Sequence, residues 1–169
     1  IIMLKRIISG AVIVAVVAAF LVLQGVYLKV GVALIGLICQ YEMLQTIKNG
    51  GTKTMDIPVY IFTLALFPAY YFLGSNGVLV VYALTLMSLF MLRTLNDKYD
   101  YHSVAYSALS MLYPQLFMVF FYQVVCVGDA HISLMMILFS IVAASFSDTF
   151  AYFTGRFFGK NKLCPAISP

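Results

Sequence analysis

The sequence predicts an all-α protein, a polytopic transmembrane helical bundle with about six spanning helices. Three observations carry that expectation. Hydrophobic residues make up 63% of the 169 and charged residues only 9%, with a mean hydropathy of +1.01. That leaves too little polar surface to cover a water-soluble globule. The apolar residues fall in runs near the roughly 20 residues that a helix needs to cross a bilayer. The connections between runs alternate between basic and charge-poor, as they do in multi-pass proteins.

The first two spans share Ile7 to Thr46, with a turn around Gln24 to Lys29. The third is expected from about Ile57 to Leu73 and the fourth from about Gly77 to Leu92. Asp56 ahead of Ile57-Pro58 reads as an N-cap with proline in the first turn, and Gly74-Ser75-Asn76-Gly77 as a tight turn. The fifth span covers roughly Ser103 to Val127 and the sixth roughly His131 to Phe153. Pro68 and Pro114 lie inside spans and predict kinks, which membrane helices tolerate when neighbours satisfy the freed carbonyls. There is no Trp, so an interfacial aromatic belt has to come from Tyr27, Tyr41, Tyr60, Tyr99 and Tyr101 near span ends.

Charge placement tests this count. Lys5, Arg6, Lys48, Lys53, Arg93, Lys98, Arg156, Lys160 and Lys162 all fall on one side, and Lys29 is the single basic exception. The positive-inside rule then puts the N-terminus and residues 156–169 in the cytoplasm, the latter as a loop or tail. A cleaved signal peptide is a poor alternative, because the first apolar run continues past Leu23 without a clear cleavage site and more spans follow. The net charge of +4 is scattered singly and forms no stripe, so nucleic acid is not an expected partner. Cys39, Cys126 and Cys164 lack metal spacing and read as ordinary thiols, and His102 and His131 fall on opposite sides, which argues against a shared metal. The whole of 1–169 reads as a single membrane domain.

Polar chemistry concentrates at the end of the sixth span. At 100° per residue, Ser145, Asp148, Thr149, Tyr152, Gly155 and Arg156 occupy about one third of the helix circumference. Phe146, Phe150, Phe153 and Phe157 occupy another sector, so the polar groups are expected to face protein or water and the rings to face lipid. An ionisable group in a membrane helix costs several kcal/mol unless paired, which makes Asp148 a candidate functional residue. It suits Mg²⁺, which uses one or two carboxylates together with substrate phosphates. Arg156, Lys160 and Lys162 lie where a triphosphate or a phospholipid headgroup would need cations, and Gly155 and Gly159 would admit close backbone approach. The plainer readings are that Asp148 bonds a neighbouring helix or pairs with Arg156, and that the cations are a topology anchor. Glu42, toward the cytoplasmic end of the second span, reads as interfacial rather than catalytic.

The run Ser147-Asp148-Thr149-Phe150-Ala151-Tyr152-Phe153-Thr154-Gly155-Arg156-Phe157-Phe158-Gly159-Lys160-Asn161-Lys162, followed by Ile167-Ser168-Pro169, resembles the mid-chain motif of the phosphatidate cytidylyltransferases, or CDP-diacylglycerol synthases. Leu4-Lys5-Arg6-Ile7-Ile8-Ser9-Gly10 and Tyr41-Glu42 are more loosely similar to that family's opening. The resemblance implies transfer of CMP from CTP to phosphatidate with Mg²⁺ as cofactor, the lipid phosphate attacking the α-phosphorus, so that no covalent nucleophile is needed. It implies a catalytic and metal-binding role for Asp148. It further implies substrate or phosphate binding by Ser145, Thr149, Tyr152, Gly155, Arg156, Gly159, Lys160, Lys162 and Ser168. It also implies a setting in the bacterial inner membrane, with membrane lipid and a second copy of the chain as expected partners. Members of that family continue into a Lys-Lys-Thr-x-Glu-Gly loop, further helices and an aspartate-rich signature. The chain is therefore expected to be the N-terminal portion of such an enzyme, truncated before the C-terminal signature and inactive alone. Competing readings are a CTP-dependent lipid kinase, a polyprenol-phosphate enzyme, or a transporter or channel subunit with Asp148 as an ion site. A transporter predicts paired half-helices or repeats, and the sequence has neither.

Overall fold

The computed structural model describes residues 2–159. Over these the chain forms α1 (Ile2–Leu23), α2 (Gly25–Asn49), α3 (Asp56–Leu95), α4 (Tyr101–Leu112), α5 (Gln115–Val125) and α6 (Ala130–Phe158), with no strand among the described residues. Four stretches are long and apolar enough to cross a bilayer: α2, α3, α4 with α5, and α6. The chain is an integral membrane protein.

The 40 residues of α3 would extend about 60 Å if straight, twice the hydrocarbon thickness. They do not run straight. Gly74 takes φ 61° and ψ −149°, a conformation outside the helical region that glycine adopts without a Cβ penalty. The arms fold back on each other there: Phe62 packs edge-on to Tyr82 at 4.6 Å, and Ile57 shares a groove with Leu92. A Cβ at Gly77 would run into the Ala69 carbonyl, so the reversal depends on glycine at both positions. With α3 counted as two crossings and α1 as one, the six expected spans are present.

Several local expectations are corrected. The first turn is confined to Gln24 and Gly25, both at positive φ, instead of reaching Lys29. Pro68 lies within α3 as expected, but Pro114 does more than kink its span: Tyr113 is extended at φ −117° and ψ 119°, separating α4 from α5. Asp56 is not the N-cap of α3. Met55 occupies that position, and the Asp56 carboxylate accepts hydrogen bonds from Lys48 and Thr54 instead. The sixth helix runs five residues beyond Phe153 to Phe158, so Gly155 and Arg156 are helical and the backbone of residues 156–158 continues α6.

Two apolar clusters fill the bundle. Leu44, Met55, Val59, Phe62, Leu66, Leu89, Val104 and Met111 form one toward the α2–α3 connection. Leu28, Val32, Phe67, Tyr122, Val125 and Ile137 form the other toward the α1–α2 turn. Buried polar groups join the helices: Gln115 Nε2 donates to the Gly36 carbonyl at 2.7 Å, and Thr63 Oγ1 donates to Val59 O at 3.0 Å and stands 3.4 Å from Gln40 Oε1. Tyr60 and Tyr99 pack partly against the first cluster, whereas Tyr27, Tyr41 and Tyr101 are exposed as an interfacial belt requires.

The connections also sort as charge placement predicted. The α2–α3 connection lines one cleft with Asn96, Lys98 and Tyr99 of the α3–α4 connection. The α1–α2 turn lines another with Val127 and Gly128 between α5 and α6, and Lys29 approaches Tyr71 near the end of the first arm of α3. Basic connections therefore gather at one end of the bundle and charge-poor ones at the other.

Candidate functional site

The site predicted from sequence lies on α6, and the way α6 is held explains its exposure. Asp129 caps the helix, its carboxylate accepting from the backbone N–H of His131 at 2.8 Å and Ile132 at 3.0 Å. In the next turn Ser133 Oγ donates to Val124 O on α5 at 2.9 Å, and Ile137 enters the second apolar cluster. Ile141, one turn on, still borders an apolar pocket with Val17 and Phe121. Every residue from Val142 to Gly159 is exposed, so about 27 Å of helix stands clear of the other described elements.

Both stripes are present on that length. Phe146 stacks on Phe150 at 6.1 Å and Phe153 on Phe157 at 6.0 Å, each pair one helical turn apart. On the polar sector Ser145 Oγ donates to Ile141 O and Thr149 Oγ1 to Ser145 O, which satisfies both hydroxyls within the helix. Arg156 Nη1 donates to Tyr152 Oη at 2.9 Å. Asp148 has neither hydrogen-bond partner nor ion pair among the described residues, so the internal Asp148–Arg156 pair is not formed.

The polar sector is expected to face protein or water, and no described element lies against it. Gly155 has open space where a Cβ would go, while a Cβ at Gly159 would strike the Gly155 carbonyl, to which Gly159 N–H donates as the helix ends. The role of Gly159 visible here is thus to close α6. Ser145, Asp148, Thr149, Tyr152, Gly155 and Arg156 are brought together on one face. Lys160, Lys162 and Ser168 lie outside the described residues.

For a divalent cation, the described residues hold no group of three or more His, Cys, Asp or Glu. Asp148 offers a single carboxylate with uncommitted oxygens. That fits the habit of Mg²⁺, which takes few protein ligands and completes its shell with substrate phosphates and water, and does not fit a closed, all-protein metal cage.

Sequence reasoning passed over a second polar centre at the basic end. Lys48 pairs with Asp56, Thr54 Oγ1 donates to the same carboxylate at 2.6 Å, and Met55 N–H donates to Ser107 Oγ at 2.9 Å. The eight-residue spacing of Lys48 and Asp56 across Gly50-Gly51 was the available signal; Ser107, 52 residues from Met55, left none. Next to it Asp100 caps α4, and hydrogen bonds from the Ser103 hydroxyl and N–H hold its carboxyl below the usual carboxylate range.

No curated protein and no solved structure matches this chain. A family model does: the one described as the cytidylyltransferase family matches residues 4–169. With nearly the whole length matched, and with a bundle of long apolar helices to carry it, the chain belongs to the cytidylyltransferase family.

Proposed function

We propose that the enzyme transfers CMP from CTP to phosphatidate at the cytoplasmic face of the membrane, giving CDP-diacylglycerol and pyrophosphate. The observation that carries this reading is Asp148: a carboxylate without a partner among the described residues, on a membrane helix, with the Arg156 guanidinium two turns further on. A phosphate oxygen of the lipid forms the new bond to the α-phosphorus of CTP, and the bond from that phosphorus to the bridging oxygen of the β-phosphate breaks, releasing pyrophosphate. Mg²⁺ bound at Asp148 would offset phosphate charge.

Arg156 suits the phosphates of either substrate because its planar fork can bond two oxygens at once. Its bond to Tyr152 keeps it on the polar sector, so a phosphate approaching the stripe meets an oriented donor. The phenyl stripe leaves the opposite sector compatible with lipid, and the two sectors together let one helix serve a water-soluble nucleotide and a membrane lipid.

The test uses the intact enzyme in lipid with CTP labelled at the α- or the γ-phosphorus. Label from the α position should enter the lipid, whereas entry of γ label would identify a lipid kinase instead. Asp148→Asn keeps size and hydrogen bonding but removes the charge, so activity should fall by at least roughly 100-fold while the melting temperature holds. Near-normal activity and Mg²⁺ dependence in that variant would overturn the assignment of Asp148.

A further inference from the structure

The basic end of the bundle holds a cleft of about 760 Å³ that includes no residue of α6. It lies between the α2–α3 connection and the far end of α3. Lys48, Lys53 and Lys98 line it, with Asp56 as the one carboxylate, so its walls carry two more positive charges than negative. Its floor is built rather than loose. Thr54 and Met55 are buried, the Met55 N–H is fixed by Ser107 of α4, and Asp56 is held by Lys48 and Thr54. Lys53 and Lys98 form no ion pair with a described residue; the Lys98 ammonium sits 5.6 Å from the centre of the Tyr99 ring.

Directly beneath runs an apolar groove of about 450 Å³ between the two arms of α3. Ile57, Pro58 and Leu92 line both spaces, so the cationic cleft opens into the groove. Ile61, Leu84 and Met91 continue its walls and are all more than half exposed. Thr85 and Ser88 also line it, yet their hydroxyls donate to Val81 O and Thr85 O on their own helix and offer little polarity. From Leu84 to Leu95 the groove follows about 16 Å of helix. A cationic mouth at the level of the span ends joined to an apolar channel along the span is complementary to one kind of molecule: a phosphate headgroup with an acyl chain.

We propose that this cleft and groove bind one anionic phospholipid, at a place separate from the α6 stripe. The inference does not depend on the reaction proposed for Asp148, because it rests on charge and shape in α2, α3 and their connections alone.

Native mass spectrometry of the delipidated full chain in neutral detergent, titrated with dioleoyl phosphatidylglycerol or dioleoyl phosphatidylcholine, reads the binding directly. One phosphatidylglycerol should be retained at concentrations roughly 30-fold below those needed for phosphatidylcholine. The double variant Lys53→Gln/Lys98→Gln should weaken phosphatidylglycerol by about 30-fold at low salt, the effect of two lysines near an anionic surface, and abolish the preference. Both lysines are exposed, so the melting temperature should hold. Ile61→Trp, which fills the groove and leaves the lysines in place, should weaken both lipids. Equal retention of the two lipids, or undiminished phosphatidylglycerol binding in the lysine variant, would overturn the proposal. Full displacement of the lipid by millimolar inorganic phosphate would also overturn it, by identifying a free-phosphate site with no use for the groove.

Discussion

Gly36→Ala probes a close contact between α2 and α3. Gly36 is buried on α2, and a Cβ there would lie 2.7 Å from Phe67 Cζ, 3.0 Å from Phe67 Cε2 and 3.4 Å from Gln115 Oε1. The first two distances are too short for carbon atoms, so the ring has to move. Phe67 is 3% exposed and packs edge-on against Tyr122 at 5.2 Å, so movement passes the strain into the second apolar cluster. The Gly36 carbonyl also accepts from Gln115 Nε2, and a shift of α2 would lengthen that buried bond. Overpacking of this kind costs about 1–3 kcal/mol, whereas replacing helical glycine by alanine returns at most about 1 kcal/mol. The net expectation is a loss of about 1–2 kcal/mol. Thermal unfolding in detergent, followed by near-UV circular dichroism, measures it. Phe67→Leu removes the colliding ring carbons, so the double variant should recover part of the loss, with a coupling of about 1 kcal/mol. A stabilised single variant, or additive effects of the two substitutions, would refute the close approach of α2 to α3.

The remaining predictions address the basic end, the α6 cap and topology. Ser107→Ala should cost about 1–3 kcal/mol, because the buried Met55 N–H loses its acceptor, and amide exchange at Met55 should accelerate. Asp129→Ala removes two hydrogen bonds from the first turn of α6 and should cost about 1 kcal/mol, measured by thermal unfolding. The folded-state pKa of Asp100 is lowered, so its contribution to stability is full above the ordinary carboxylate range and disappears as pH falls through that lowered value. Asp100→Asn should therefore lower the melting temperature slightly at neutral pH and leave it little changed at acid pH, where the parent has already lost that contribution, which flattens the acid limb of the profile. With Cys39, Cys126 and Cys164 replaced by serine, an impermeant thiol reagent outside right-side-out vesicles should label a cysteine at Ser75 and miss one at Asn96; the opposite pattern would invert the orientation.

What the sequence made legible was what local hydropathy and periodicity can encode. Gly74 marked the reversal inside α3 because a short polar break between two apolar runs has few other uses. The paired stripes of α6 were visible because residues one turn apart share a face whatever surrounds them. What surrounds them is a tertiary property, which periodicity within one helix does not encode. Asp56 was misplaced by one position because the helix start is fixed from a distance: Ser107 claims the Met55 N–H, and Lys48 draws the carboxylate away from the backbone it would have capped. Gln40 and Gln115 interrupt apolar runs in the sequence. Their partners Thr63 and Gly36 are 23 and 79 residues away, so only the folded chain discloses them as links between helices.

The same contrast separates scaffold from site. The Gln115–Gly36 bond, the Lys48–Asp56 pair and the close contact at Gly36 lie in α2 to α5, where these groups tie neighbouring elements together. Most of α6 has no such ties: its hydroxyls turn back on their own helix, and Asp148 is left uncommitted. A carboxylate bonded to a neighbouring helix would be held by contacts whose loss lowers stability. An uncommitted one can be changed at little cost to the fold, and it keeps its oxygens for a cation or for water. On a lipid-length helix, where a charge is expensive, the proposal that Asp148 binds a cation gives that cost a use. This is why Asp148→Asn should separate activity from stability, while Gly36→Ala, placed in the scaffold, should lower the melting temperature.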